Sequence, residues 1–175
     1  MNSKQKVELI IAAFLIVCGS LLLIFPLFHF VDVKLIFSIV LGVYALLNLI
    51  KFILIRKTKD YEGLFTTLAS IIALVLVLFL DVDNVPWYLA LCLFVWIALM
   101  SVIKLKKADY YNDRKSGVWI LEIVCLILFI LSGLLTTINL YYENDIQVLV
   151  LGYFYLIHGI LELVDPLTNY LIGRK

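Results

Sequence analysis

Six long apolar runs, separated by short polar connections, make up most of the chain. They cover about residues 7–28, 33–55, 62–80, 86–103, 117–139 and 146–165. A hydrocarbon core of about 30 Å requires roughly 20 apolar residues per helical span, and each run approaches or meets that length. The pattern predicts an all-α integral membrane bundle of six helices in a single transmembrane domain, 1–175. The connections are too short to hold a soluble domain.

Composition agrees with the pattern. Of the 175 residues, 65% are hydrophobic and 15% charged. Soluble domains average about 45–50% apolar and about 25% charged residues. The first run follows the basic start "MNSKQK", as a signal peptide would. It continues past Pro26 to Phe30 with no small-residue cleavage pattern, and so reads as a retained helix. Cys18, Cys92 and Cys125 all fall inside apolar runs, which argues against a disulfide framework.

Charge orients the runs. Lys4 and Lys6 precede the first helix; Lys51, Arg56, Lys57 and Lys59 surround the second connection. Lys104, Lys106, Lys107, Arg114 and Lys115 surround the fourth, and Arg174 and Lys175 end the chain. Only Lys34 among the 14 basic residues falls on the other side. The positive-inside rule then predicts a plasma (inner) membrane protein with both termini cytoplasmic. The outer connections carry Asp32, Asp81, Asp83, Glu143 and Asp145. Aromatics mark the same boundaries: Trp87, Tyr88, Tyr141 and Tyr142 outside, Tyr61, Tyr110, Tyr111 and Trp119 inside. The basic rim suits anionic lipid headgroups and gives no reason to expect nucleic acid. A bundle this thin is also compatible with a homo-oligomer.

A faint internal repeat divides the chain into three hairpins of equal orientation, a parallel repeat. "LGVYALLNLIK" (Leu41–Lys51) aligns with "LGYFYLIHGIL" (Leu151–Leu161), matching Gly42 to Gly152 and Asn48 to His158. "FVWIALMSVIK" places Ser101 at that same position. In the first helices of two hairpins Glu8 precedes Gly19, and Glu122 precedes Gly133, at one spacing; Glu62 stands near the start of the middle hairpin. Gly19, Gly42, Gly133, Gly152 and Gly159 are the expected packing positions, because small residues let helix backbones approach in lipid.

The segments "CGSLLLIFP" and "LGVYALLNLIK" resemble the first two helices of the HdeD-like membrane proteins. The resemblance implies six helices and a non-enzymatic membrane protein tied to stress response and acid resistance. It brings no catalytic, cofactor-binding or metal-binding residues. The middle hairpin departs from it: the glycine-to-proline spacing is missing and Pro86 opens the fourth helix instead.

The polar residues within the runs are the candidate chemistry. At 1.5 Å per residue, His158 lies about 18 Å and Glu162 about 24 Å from the outer face. Glu122 lies about 8 Å in from the inner face, while Asn48 and Ser101 lie about 22 Å from the outer one. The cluster Glu122, His158, Glu162, Asn48 and Ser101 therefore shares the inner half of the membrane. Such residues either tie helices together or line a vestibule that handles protons or a small cation. The "DVDN" stretch, Asp81–Asn84, has neither the length nor the glycine of a calcium loop, and His29 has no partner at metal-ligand spacing. No cofactor or metal is expected.

Overall fold

The computed structural model describes residues 3–24, 32–55, 60–82, 84–85, 87–140 and 144–172. Of the residues singled out above, Pro26, His29, Phe30, Arg56, Lys57, Lys59, Asp83, Pro86, Tyr141, Tyr142, Glu143, Arg174 and Lys175 lie outside them. The described chain is all helical: α1 (Ser3–Ile24), α2 (Val33–Ile55), α3 (Glu62–Phe79), α4 (Trp87–Asp113), α5 (Val118–Asn139), α6 (Asn144–Glu162) and α7 (Val164–Ile172). Six spans are long and apolar enough to cross a membrane, the last running from Ile146 to Thr168 through α6 into α7.

Two boundaries differ from expectation. α4 was expected to end near residue 103 but continues to Asp113. Its 27 residues make it about 40 Å long, so it outruns a core of about 30 Å. The apolar run measures the membrane, whereas lysines and tyrosines beyond it keep the helix going. The last helix was expected to be continuous to 165 but breaks at Leu163. Pro166 has no N–H to give the carbonyl of Glu162, so α6 stops there. In the first turn of α7 that missing donor costs nothing.

Every helix packs against its chain neighbours, and α6 closes back onto α1. The most extensive contacts are α1 with α6, α2 with α3 and α4 with α5. The pairs α1–α2 and α5–α6 make less extensive contact. Small residues explain this preference. A Cβ on Gly19 would stand 2.4 Å from the backbone nitrogen of Leu156, and one on Gly152 would stand 2.9 Å from Leu22 Cβ. Gly159 meets Ile16 and the Ala12 carbonyl at 2.8 and 3.0 Å. Gly133 lies against Ile97 of α4, and Gly63 lies against the Asn48 carbonyl of α2. Lipid supplies no hydrophobic drive between helices, so such close approach carries the packing. Gly42 is a correction to the expected packing set: nothing lies within 4 Å of where its Cβ would be. Its side of α2 meets no other helix closely, and Gly63 fills the close-contact role in that region.

Candidate functional site: a ring-filled centre beneath a charged end

The middle of the bundle is filled with rings. Tyr44 of α2, Trp96 of α4, Phe129 of α5 and Phe154 of α6 surround His158, and all five are buried. Their centroids lie 5.6, 5.5, 4.9 and 6.0 Å from the imidazole. Trp96 also meets Tyr44, Phe129 and Phe154 edge-on, a favoured arrangement of aromatic quadrupoles. The indole N–H donates to Ser70 Oγ at 3.1 Å, which fixes Trp96 between α3 and α4. Neither imidazole nitrogen has a hydrogen-bond partner among the described residues.

On one side of these rings lies the charged end of the bundle. Antiparallel helices bring the starts of α1, α3 and α5 beside the ends of α2, α4 and α6, and each contributes a charge there. Lys51 of α2 reaches Glu8 of α1 at 3.1 Å and Glu62 of α3 at 3.4 Å. Lys107 of α4 reaches Glu62 at 3.4 Å, Glu122 of α5 at 3.9 Å and Asp165 of α7. Glu62 is thus the carboxylate shared by two lysines, one from each neighbouring helix. Lys4 pairs with Glu8 at 3.8 Å and with Asp60. Asp60 also accepts the backbone N–H of Glu62 at 3.1 Å, which satisfies one free donor at the start of α3. Lys104 donates to Glu162 Oε1 at 2.7 Å, and His158 Nε2 lies 3.8 Å from that same oxygen.

Taking these charges out of water is expensive, and attraction between them offsets the cost only when each has its partner. The network meets that condition by sharing. Lys51, Lys104 and Lys107 each contact a carboxylate on another helix, and Lys4 reaches Asp60, just before α3. The seven helices are therefore linked at one end by ionic contacts.

The expected polar cluster is only partly brought together. His158 and Glu162 are neighbours, whereas Glu122 contacts Lys107, in the group that holds Glu62 and Asp165. Asn48 donates to the Tyr44 carbonyl and Ser101 to the Ile97 carbonyl, both within their own helices. Neither makes a contact with the charged groups that these bonds record. The charged partners Lys4, Glu8, Lys51, Asp60, Glu62, Lys104, Lys107 and Asp165 are missing from the expected cluster. Their signal was present in helical spacing: Tyr44, Asn48, Lys51 and Ile55 form one buried face of α2. A lysine at the edge of an apolar run looks like loop charge until that face is drawn.

Among the described residues no group of three or more His, Cys, Asp or Glu side chains is arranged to hold a metal ion. Cys18, Cys92 and Cys125 are free thiols. An open groove between α5 and α6, lined by Leu135, Thr136, Asn139, Leu149, Val150 and Tyr153, lies at the opposite end from the charges. Six apolar spans around a buried polar network define a multi-pass membrane protein. Comparison with known protein families, curated proteins and solved structures finds no match.

Proposed function

We propose that the protein is a non-enzymatic, HdeD-like protein of the plasma membrane that supports membrane integrity or acid and stress tolerance as a self-locked bundle. One observation carries this reading: the rings of Tyr44, Trp96, Phe129, Phe154 and His158 fill the centre, while the charges beyond them are spent on one another. An arrangement of this kind holds helices together, and among the described residues the buried rings fill the space between the two ends. The charged end is cytoplasmic in this reading, by the positive-inside rule, and exposed Lys106, Arg114 and Lys115 meet anionic headgroups there. Glu8, Glu62 and Glu122, at the starts of α1, α3 and α5, support a parallel repeat of three hairpins. Lys51 and Lys104, near the ends of α2 and α4, occupy matching places in the aligned segments.

The unpartnered imidazole of His158 favours a second reading, a small proton- or cation-handling transporter or channel that uses Glu122, His158 and Glu162. Purified protein in liposomes under a pH gradient separates the two. The expected result is no proton flux from wild type, Glu162→Gln or His158→Ala, with both variants melting earlier. Wild-type flux abolished by both changes, in protein that is still folded, would overturn the locked-bundle reading in favour of transport.

A further inference from the structure

Glu162 Oε1 stands between two nitrogens of different character. Lys104 Nζ lies 2.7 Å away on α4, and His158 Nε2 lies 3.8 Å away, one turn back on α6. The two nitrogens share a second neighbour as well: the Phe129 ring is centred 4.9 Å from the imidazole and 5.4 Å from the lysine ammonium. The other charged groups toward this point have partners elsewhere. On α2, Tyr44 abuts the imidazole as a neutral ring, and Lys51 is held by Glu8 of α1 and Glu62 of α3. On α5, Glu122 contacts Lys107 of α4, which also holds Asp165 of α7. Cys125 of α5 is a free thiol, and Tyr155 of α6 is buried with its hydroxyl unpartnered among the described residues. Lys104, Glu162 and His158 form a unit of their own.

A proton on Nε2 changes three interactions at once. It gives Glu162 a second ion-pair partner at i,i+4 spacing on the same helix. It gives the surrounding ring faces a cation to attract. It also sets an imidazolium against the Lys104 ammonium, across one shared oxygen and one shared ring, where little water screens the repulsion. The imidazole is fixed by packed rings, whereas Lys104 has a long stem and is 15% exposed at the bundle's end. The lysine is therefore the group able to leave, by extending its ammonium toward water.

We propose that His158 is a proton-operated latch: uptake of a proton at Nε2 draws Glu162 to the imidazolium and releases Lys104, undoing the tie between α4 and α6. The proton comes from the aqueous side of the charged end and stays on the imidazole, so no transfer across the bundle is involved. The latch goes beyond the locked-bundle reading and is read out by a different experiment.

Trp96, centred 5.5 Å from His158, is a built-in reporter, because an imidazolium quenches a neighbouring indole. Trp87→Phe and Trp119→Phe, both at exposed positions, leave Trp96 as the single tryptophan, excited selectively over the tyrosines. In nanodiscs taken from pH 8 to pH 4, its emission is expected to fall in a one-proton step while helical circular dichroism holds. His158→Gln removes the step. Glu162→Gln moves its midpoint to lower pH and Lys104→Met to higher pH, each by about one to three pH units. Should a variant fail to fold, ring-15N chemical shifts of His158 in otherwise native protein carrying His29→Gln report the same proton directly. Unchanged Trp96 emission and unchanged 15N shifts across this range would overturn the proposal. A quench that persists in His158→Gln, or that accompanies loss of helix, would overturn it as well.

Discussion

Lys51 and Glu8 meet at 3.1 Å with each side chain only 4% exposed, the ammonium from the end of α2 and the carboxylate from the start of α1. Lys51 also reaches Glu62, so a single lysine joins three helices at the charged end. Removing Lys51 leaves Glu8 with the more distant Lys4, at 3.8 Å, and Glu62 with Lys107. Two buried carboxylates then lose part of their compensation, which costs more than the pair itself contributes. Lys51→Met is expected to destabilise the bundle by about 3–5 kcal/mol. Glu8→Leu added to it should recover a large part of that loss. Reversible unfolding in mixed micelles, run as a double-mutant cycle, measures both; additive effects of the two changes would contradict the contact.

The glycines divide into two kinds by what surrounds them. Gly19→Ala puts a methyl group 2.4 Å from the Leu156 backbone nitrogen and forces α1 away from α6, lowering the melting temperature. Gly42→Ala meets open space and removes the flexibility of a mid-helix glycine, so stability is expected to rise by about 0.5–1 kcal/mol. Melting curves of the two variants under identical conditions decide the point, and equal losses would contradict the packing described above.

Trp96 fills the centre and is tethered to Ser70. Trp96→Ala is expected to cost about 3–5 kcal/mol through the cavity it leaves. Trp96→Phe keeps an aromatic ring but removes the N–H that Ser70 Oγ accepts, adding roughly 1 kcal/mol to its packing loss. Ser70→Ala in the Trp96→Phe background should then cost little more. Chemical unfolding of the set gives these differences, and a full additional penalty from Ser70→Ala would contradict the tether.

Asp165 fastens α7 to Lys107, and α7 otherwise touches mainly α1 and its own continuation from α6. Asp165→Asn weakens that attachment and leaves the packing of α2 and α3 in place. Hydrogen exchange monitored by mass spectrometry is expected to speed up across Val164–Ile172 and stay unchanged in α2 and α3. Faster exchange throughout the bundle would mean that Asp165 supports the whole fold and not one short helix.

Much of this architecture is legible in the residues themselves. The run from Val33 to Ile55 gives α2 its limits because both ends are set by loss of apolar character. α4 is misjudged on the same rule, since Lys104, Lys106 and Lys107 end the membrane run and not the helix. His158 and Glu162 are recognised together because they are one turn apart on one helix. Lys104, the closest partner of Glu162, is far away in the chain and stands at the edge of its own run, where a charge is ordinary. Asn48 and Ser101 show the reverse: both have the right depth, yet their side chains bond the preceding turn of their own helix.

What the sequence determines alone is the solvent and the number of crossings. Lipid leaves no hydrogen-bond partner for a bare backbone, so apolar runs of this length must be helices, and six runs make six spans. Which charges meet was decided only by the tertiary structure. Pairing depends on how each helix is rotated and on the return of α6 to α1, and both follow from contacts at Gly19, Gly152 and Gly159 that span nearly the whole chain. Depth along a helix can be counted from one end, whereas the direction a side chain faces is settled by the neighbour that packs against it.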